Sequence, residues 1–220
     1  GIDRLLFISS VPGGPISRQQ QHANVVKAAQ AAGVRYVAYT SFAKADTAQS
    51  PLSKDHVATE ALLKASGLQV SCLRNAWYLE NELSYLQAGA QGHDRVYAAG
   101  DGRIGFALER EYAEAAAKVM TMPVPKPVYE FAGTPVTYAE LAATLQTVTS
   151  QAVTFKAVSD DTYRQAMREA GVAPELVEVL LSMQIMMRAG ELDVTSSVLA
   201  DVLGRPVTPL ATAIREILSR

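Results

Sequence analysis

The sequence contains a single cysteine, Cys72, among its 220 residues. One thiol cannot form an internal disulfide and cannot build a cysteine-ligated metal cluster. The three histidines, His22, His56 and His93, are too scattered along the chain to indicate a zinc site. We therefore expect no bound metal and a chain that works in a reducing compartment, the cytoplasm.

Long apolar runs and an excess of charge of one sign are also absent. No run approaches the ~20 apolar residues that a membrane-spanning helix needs, and no basic-then-apolar signal segment opens the chain. The formal net charge is −2 and the pI is about 6.0. These values give no electrostatic footprint for nucleic acid or an anionic membrane, so we expect neither partner.

Several catalytic and nucleotide-binding motifs are missing. The chain has no G-x-x-x-x-G-K-[ST], no H-E-x-x-H and no G-x-S-x-G, and no G-x-G-x-x-G follows a strand. In "VPGGP", Pro12 and Pro15 lack the backbone N–H that a phosphate-binding turn would donate. None of the nine tyrosines has a lysine four residues later, which excludes the Tyr/Lys pair that many short-chain dehydrogenases use for proton transfer.

The first 75 residues contain a regular alternation of strands and helices. Apolar and β-branched runs predict strands at 4–10, 34–41 and 68–75. Helices are predicted in "HANVVKAAQAAG", ended by Gly33, and in "SKDHVATEALLKASG", with Ser53 as N-cap and Gly67 after the last turn. Connections of this length favour parallel, right-handed crossovers, so the pattern predicts a doubly wound α/β sheet.

Beyond Asn75 the alternation becomes less regular. "WYLENELSYLQAGAQG" and "EREYAEAAAKVMT" are interpreted as helices, and "TYAE" has capping-box spacing at the start of another. Short strands are expected around "GDG", in "PVYEFAG" and in "AVTFKAVS". Further helices are expected near 160–170, at 174–188, and after Thr208 as cap with Pro209 as first helical residue. We predict one domain, residues 1–220, with a smaller helical lobe mainly from 76–108 and 134–207.

Polar side chains stand at the ends of the three expected strands. "ISS" ends in Ser9 and Ser10, "YTS" in Thr40 and Ser41, and "LRNAWY" runs on from Arg74. Ligands of open α/β sheets bind at the carboxyl ends of the strands. Each strand end alone is also explained by a plain transition to a loop, and Arg74 by a salt bridge as well as by a phosphate, but the three together favour a ligand site.

These segments are similar to known proteins. "LLFISS", "VRYVAYTS", "DHVATEALLKASGL", "LRNAWYLENEL", "AAGDGRIGFALEREYAEAAAKV" and "VYEFAG" resemble successive blocks of the NmrA-like atypical short-chain dehydrogenase/reductases. The likeness is greatest to the branch of NAD(P)H:quinone oxidoreductases type 2, and it extends to triphenylmethane reductase. The resemblance implies a Rossmann-like sheet of strand order 3-2-1-4-5-6-7, with residues 4–8 as its fourth strand.

Strands one to three, with the glycine fingerprint, would then precede Gly1. The chain begins with Gly1 rather than Met and enters a strand almost at once. We expect this sequence to be the tail of a longer protein, with a truncated product as the alternative.

The resemblance also implies a cofactor, an acceptor and a site. The cofactor would be NADP(H), with NAD(H) left open, and the acceptor a quinone or a similar planar molecule. Cofactor contacts are implied for Ser9, Ser10, Thr40, Ser41, Asn75, Ala76, Trp77, Tyr78 and Glu80. His56, Asn75 and Tyr78 would be the catalytic residues around the acceptor.

His56 occupies a position where many relatives carry a lysine. Its unperturbed pKa near 6.5 suits both a hydrogen-bond donor and a proton source. Glu60, four residues on, would anchor the helix or orient His56. Phe106 and the segment "MQIMMR" (183–188) are candidate pocket walls, although such methionines are more often core residues.

The predicted function is therefore an NAD(P)H-dependent reductase that transfers a hydride to a quinone or similar planar acceptor. The alternative is a non-catalytic NADP(H)-binding regulator that senses redox state, because the missing Tyr/Lys pair fits that interpretation too. An epimerase or dehydratase of nucleotide sugars is disfavoured, since those enzymes usually need the pair. The oligomeric state is left open, with a homodimer as one expectation.

Overall fold

The computed structural model of the protein describes residues 1–11 and 14–220. The loop predicted at "VPGGP" thus lies partly outside the described residues. The chain divides into two compact units. The first comprises Gly1–Asn75, Arg110–Phe131 and Ser196–Pro206, and the second comprises Ala76–Glu109, Ala132–Thr195 and Val207–Arg220.

The described residues form a series of short strands and α-helices. The strands are β1 (Arg4–Phe7), β2 (Tyr36–Phe42), β3 (Gln69–Asn75), β4 (Trp77–Tyr78), β5 (Arg95–Tyr97), β6 (Ile104–Ala107), β7 (Val128–Phe131), β8 (Pro135–Val136) and β9 (Phe155–Ala157). The helices are α1 (Arg18–Ala31), α2 (Pro51–Ala65), α3 (Leu83–Ala90), α4 (Glu109–Thr121), α5 (Tyr138–Thr149), α6 (Asp160–Glu169), α7 (Pro174–Arg188), α8 (Val198–Leu203) and α9 (Leu210–Leu218). A 3₁₀ helix at Leu79–Glu82 precedes α3.

A parallel sheet of order β1-β2-β3-β7 organises the first unit. Phe7 pairs with Tyr39, and Tyr39 pairs with Cys72 on the next strand. Each of the first two crossovers contains one helix, α1 or α2, and moves one strand along the sheet. The four strands follow the 4-5-6-7 part of the predicted order, which confirms the α/β class and the parallel sheet.

The core of the first unit lies where α1 and α2 meet the sheet. It contains Phe7, Val26, Ala29, Val34, Val37, Tyr39 and Leu63. Tyr36 and Ala38, which alternate with this set along β2, are buried as well. A strand buried on both faces is typical of the interior of a parallel sheet.

Two predicted helix starts are wrong. Ser50, not Ser53, is the N-cap of α2: its hydroxyl accepts a hydrogen bond from the Ser53 backbone N–H at 3.3 Å. Pro51 occupies the first helical position, where a missing N–H costs nothing. His56 therefore lies in the second turn of α2 rather than the first. At the end of the chain Pro209 is the N-cap of α9, one position later than predicted.

The second unit contains short strands and most of the later helices. β4 pairs in parallel with β6, β6 is antiparallel to β8, and β5 pairs in parallel with β9. The predicted capping box is confirmed, because Thr137 Oγ1 accepts from the Glu140 N–H at 3.1 Å and Glu140 Oε2 accepts from the Thr137 N–H at 2.7 Å. The prediction of helix for "WY" is wrong, since these two residues form β4 against Phe106 and Ala107.

Candidate functional site

Ser9 and Thr40 meet at the carboxyl ends of β1 and β2. The backbone N–H of Ser9 donates a hydrogen bond to Thr40 Oγ1 at 2.8 Å. The two hydroxyl oxygens lie 3.4 Å apart, and both residues are half-buried. The structure thus brings together two of the residues predicted to contact the cofactor, at the edge of the sheet where ligands of this fold class bind.

Ser10 is joined to a buried polar network that the sequence did not reveal. Its backbone N–H donates to His22 Nε2 at 3.0 Å, and its hydroxyl lies 3.1 Å from the same nitrogen. His22 Nδ1 lies 2.7 Å from Thr59 Oγ1, which itself donates to the Asp55 carbonyl at 2.8 Å. Because Nε2 accepts, the His22 proton resides on Nδ1 and is donated to Thr59.

His56 is a buried residue of α2, and its side chain contacts β2. Its Nδ1 lies 2.9 Å from the hydroxyl of Tyr39, and its ring lies against the rings of Tyr39 and Phe42, with centroids 5.9 Å apart in both cases. Burial, reinforced by the positive charge of Arg18, lowers the pKa of His56 to about 3. The imidazole is therefore neutral at physiological pH, which corrects the expectation of a pKa near 6.5 and of an imidazolium proton source.

Ser41, Glu60 and Arg74 form a cluster with two further carboxylates. Ser41 Oγ donates to Glu60 Oε1 at 2.5 Å. Arg74 binds Glu60 through Nε at 2.9 Å and Nη2 at 2.7 Å, Asp46 through both Nη atoms at 2.6 and 2.7 Å, and Glu130 at 3.0 Å. All its N–H directions are used within the protein, so Arg74 forms salt bridges rather than a phosphate clamp. Glu60 anchors α2 to the sheet and makes no described bond to His56.

The remaining predicted site residues follow the end of β3. Asn75, the last residue of β3, is buried, and its carbonyl accepts from the Ala43 N–H at 3.1 Å. Ala76 to Glu80 belong to the second unit. There Trp77 Nε1 donates to Glu82 at 3.0 Å, Tyr78 pairs with Ala107, and Glu80 Oε2 accepts from the first N–H of α4 at 2.9 Å.

The candidate pocket walls are largely core. Phe106, Met186 and Met187 are each at most 5% exposed, which agrees with the interpretation of the methionines as core residues. Cys72 is buried, and burial raises the pKa of its thiol to about 12. A cavity of about 520 Å³ lies beside β3, lined in part by Val57, Glu60, Lys64, Val70, Cys72 and Arg74, and it touches neither His56 nor the ends of β1 and β2.

Arg18 is the first residue of α1, directly after the loop that follows β1. It is 92% buried, and its Nε and Nη1 have no hydrogen-bond partner among the described residues. Its charge lowers the pKa of His22, second to burial. A buried guanidinium without an anion is costly, so this position fits an anionic group of a ligand.

No motif in the sequence indicated Arg18, His22, Tyr39 or Thr59 as site residues. One signal was present, however: Tyr39 and Ser41 are two apart on β2, and so they face the same side of the sheet. His56 and Glu60 are four apart on α2, and the structure pairs Tyr39 with His56 and Ser41 with Glu60. No group of three or more His, Cys, Asp or Glu side chains among residues 1–11 and 14–220 could hold a metal ion.

Comparison of the sequence with known proteins assigns the chain to a family. No protein-family model matches the chain. Quinone oxidoreductase 2 of Escherichia coli (strain K12) is 36% identical over 221 residues, which cover 100% of this chain and 77% of that protein. An NmrA-like family domain-containing oxidoreductase of Aspergillus flavus is 30% identical over 229 residues, covering 99% and 74%. The chain belongs to the NmrA-like family.

Solved structures agree with this NmrA-like assignment. The chain superposes on the E. coli NADPH-dependent quinone oxidoreductase complexed with NADPH at a TM-score of 0.92, covering 99% of this chain and 77% of that one. It superposes on the Citrobacter sp. triphenylmethane reductase complexed with NADP(H) at 0.91, with 33% identity and the same coverage. The family and the Rossmann-like fold predicted from the sequence are both confirmed.

Replacement of Arg74 tests the structural role assigned to the ion cluster. Arg74→Leu leaves the largely buried Glu60 carboxylate without a cation, so we expect the free energy of unfolding to fall by about 3–5 kcal/mol. The control is Arg35→Leu, whose pair with Asp3 is exposed and screened by solvent, so a much smaller loss is expected. Urea unfolding measures both, and equal losses would contradict the assignment.

Burial of neutral His56 predicts a pH dependence of stability. Its folded pKa of about 3 lies below the ordinary value of 6.5, so the unfolded chain binds the extra proton between those pH values. We expect stability to fall as pH drops from 6.5 toward 3, by at most about 1.4 kcal/mol per pH unit from this group. His56→Gln should reduce this slope, and His93→Gln, which removes an exposed histidine, is the control. Identical slopes in wild type and His56→Gln would refute the prediction.

Proposed function

We propose that this NmrA-like protein is an NAD(P)H-dependent reductase that transfers a hydride to a quinone or a similar planar acceptor. The observation that carries the proposal is the 36% identity over the whole chain to a protein named quinone oxidoreductase 2. The parallel sheet with Ser9, Ser10, Thr40 and Ser41 at its carboxyl edge supports it, because dinucleotides bind there in this fold class. The free thiol of Cys72 is in keeping with a cytoplasmic enzyme.

We propose NADP(H) as the cofactor, since two structures of relatives contain NADPH or NADP(H). The residues present fit such a group. The unpartnered Arg18 guanidinium would hold one of its anionic groups, and the hydroxyls of Ser9, Ser10 and Thr40 would bind its sugar. When bound, the cofactor supplies the hydride.

The residues of the chain have three tasks in this reaction. The hydroxyl and amide groups of Thr40, Ser41 and Asn75 orient the nicotinamide and the acceptor, which lowers the entropy cost of reaction. We assign to neutral His56 the donation of a hydrogen bond that stabilises negative charge developing on the acceptor oxygen, and Tyr78 stays a predicted donor. Hydride addition leaves an anion, and because His56 is not protonated at physiological pH, the proton that completes the reduction comes from solvent.

We propose that the substrate lobe, expected mainly from 76–108 and 134–207, influences which acceptor is used. Trp77 and Tyr78 stand at its start, and the bond from Trp77 to Glu82 fixes this segment. The alternative function, a non-catalytic NADP(H)-binding regulator, is less favoured because the relatives are named as oxidoreductases.

The protein is expected to oxidise NADPH when a quinone is added. The measurement is the loss of NADPH absorbance with a panel of quinones of graded size, alongside NADPH binding followed by fluorescence. NADPH consumption that saturates with quinone concentration supports the reductase. Binding of NADPH without turnover of any quinone would contradict it and favour the regulator.

Arg18→Gln is expected to weaken NADPH binding by about 10- to 100-fold, because it removes a charge-assisted hydrogen bond worth about 1.5–3 kcal/mol. Calorimetry at two salt concentrations measures this, and the salt dependence should also decrease. Arg35→Gln removes an equal charge from an exposed ion pair and serves as control. An unchanged dissociation constant in Arg18→Gln would remove Arg18 from the cofactor site.

A further inference from the structure

Tyr39 places a phenol hydroxyl in the core of the first unit, directly beside His56. The residue is fully buried, and its ring lies 5.0 Å from that of Phe7 and 5.8 Å from that of His22. Its hydroxyl makes one hydrogen bond to the described residues, to His56 Nδ1 at 2.9 Å. Burial raises the pKa of Tyr39 well above its usual value, so the phenol keeps its proton.

The buried phenol proton needs an acceptor, because an unsatisfied buried donor is costly. Thr59 also acts on the pKa of Tyr39, after burial, and its own hydroxyl proton is donated to the Asp55 carbonyl. The hydrogen bond whose geometry the structure gives for the phenol goes to His56 Nδ1, at 2.9 Å. His56 Nδ1 is thus assigned as the acceptor, and a nitrogen that accepts cannot carry a proton.

We propose that Tyr39 is a positioning residue, whose O–H holds His56 as the tautomer protonated on Nε2. This inference rests on the proposed reductase function in one respect: the Nε2–H is then the group that donates to the acceptor oxygen. His56 Nε2 makes no hydrogen bond to any described residue. The rings of Tyr39 and Phe42, inclined to the imidazole by 38° and 33°, hold its orientation.

The groups that face His56 keep it neutral rather than charged. Burial has the largest effect in lowering its pKa, and the charges of Arg18 and His22, both on α1, lower it further. No carboxylate contributes in the opposite direction. A neutral imidazole offers one N–H, so its tautomer decides whether the donor points at Tyr39 or away from it.

Nitrogen NMR of the imidazoles reads the tautomer directly. In the ¹⁵N-labelled protein, long-range ¹H–¹⁵N spectra between pH 6 and 8 should show His56 with a protonated Nε2 and an unprotonated Nδ1. His22 is an internal reference, because the Ser10 N–H bond to its Nε2 fixes the opposite tautomer. A protonated Nδ1 on His56 in the wild type would overturn the inference without any variant.

The variant Tyr39→Phe tests the positioning role. It should shift His56 toward a mixture of tautomers, leave the signals of His22 unchanged, and lower quinone turnover by about 5- to 10-fold, the equivalent of one neutral hydrogen bond. The KM for NADPH should stay the same. The matched control is Tyr36→Phe, a buried tyrosine of the same strand whose hydroxyl has no hydrogen-bond partner among the described residues.

The outcomes separate this inference from the proposed function. An unchanged His56 tautomer or unchanged turnover in Tyr39→Phe overturns the positioning role. Equal losses in Tyr39→Phe and Tyr36→Phe overturn it too, because they would reflect packing alone. If the wild type turns over no quinone, the proposed function fails, while the tautomer spectra still decide whether Tyr39 fixes His56.

Discussion

The first unit depends on one buried cation. Arg74, at the end of β3, binds carboxylates from the β2–α2 loop, from α2 and from β7. Desolvating a guanidinium is costly, and only complete pairing offsets that cost. Because Glu60 is one of the partners, the cluster fixes both the position of α2 along its axis and its rotation about that axis. The positions of Ser41, bonded to Glu60, and of His56, one turn earlier on α2, follow from that constraint.

A second buried cation of the same unit, Arg18, differs from Arg74 in its surroundings. Its Nε and Nη1 have no hydrogen-bond partner among the described residues, and its positive charge contributes to the lowered pKa of His22 and of His56. Burial first, and the charge of Arg18 second, lower the pKa of both histidines, so each is present as a neutral hydrogen-bonding group. The polar interior under α1 and α2 is in this way a set of neutral donors and acceptors, Ser10, His22, Thr59, Tyr39 and His56, beside an electropositive position that fits an anionic ligand.

Local signals in the sequence predicted much of this arrangement. The spacing of strands and helices predicted the parallel sheet, and the capping box predicted the start of α5. Both signals depend on residues that are close together in the sequence. The start of α2 was misplaced since Ser50 and Ser53 are equally good caps by type, and only Pro51 distinguished them. Trp77 and Tyr78 became a strand through pairing with β6, which no local pattern encodes. The pKa of His56 depends on burial and on Arg18, 38 positions away in the chain, so a sequence cannot supply it.

A neutral histidine is compatible with hydride chemistry and changes what the site must provide. An imidazolium would stabilise an oxyanion more strongly, but a charge beside Arg18 in a buried setting would carry a large desolvation cost. A neutral N–H costs little to bury and requires no reorganisation when negative charge develops nearby. However, a neutral histidine delivers no proton with the hydride. The acceptor must therefore form a reduced anion that is stable until a solvent molecule protonates it. Quinones and similar conjugated acceptors satisfy that condition, because the charge is delocalised over the ring and its oxygens.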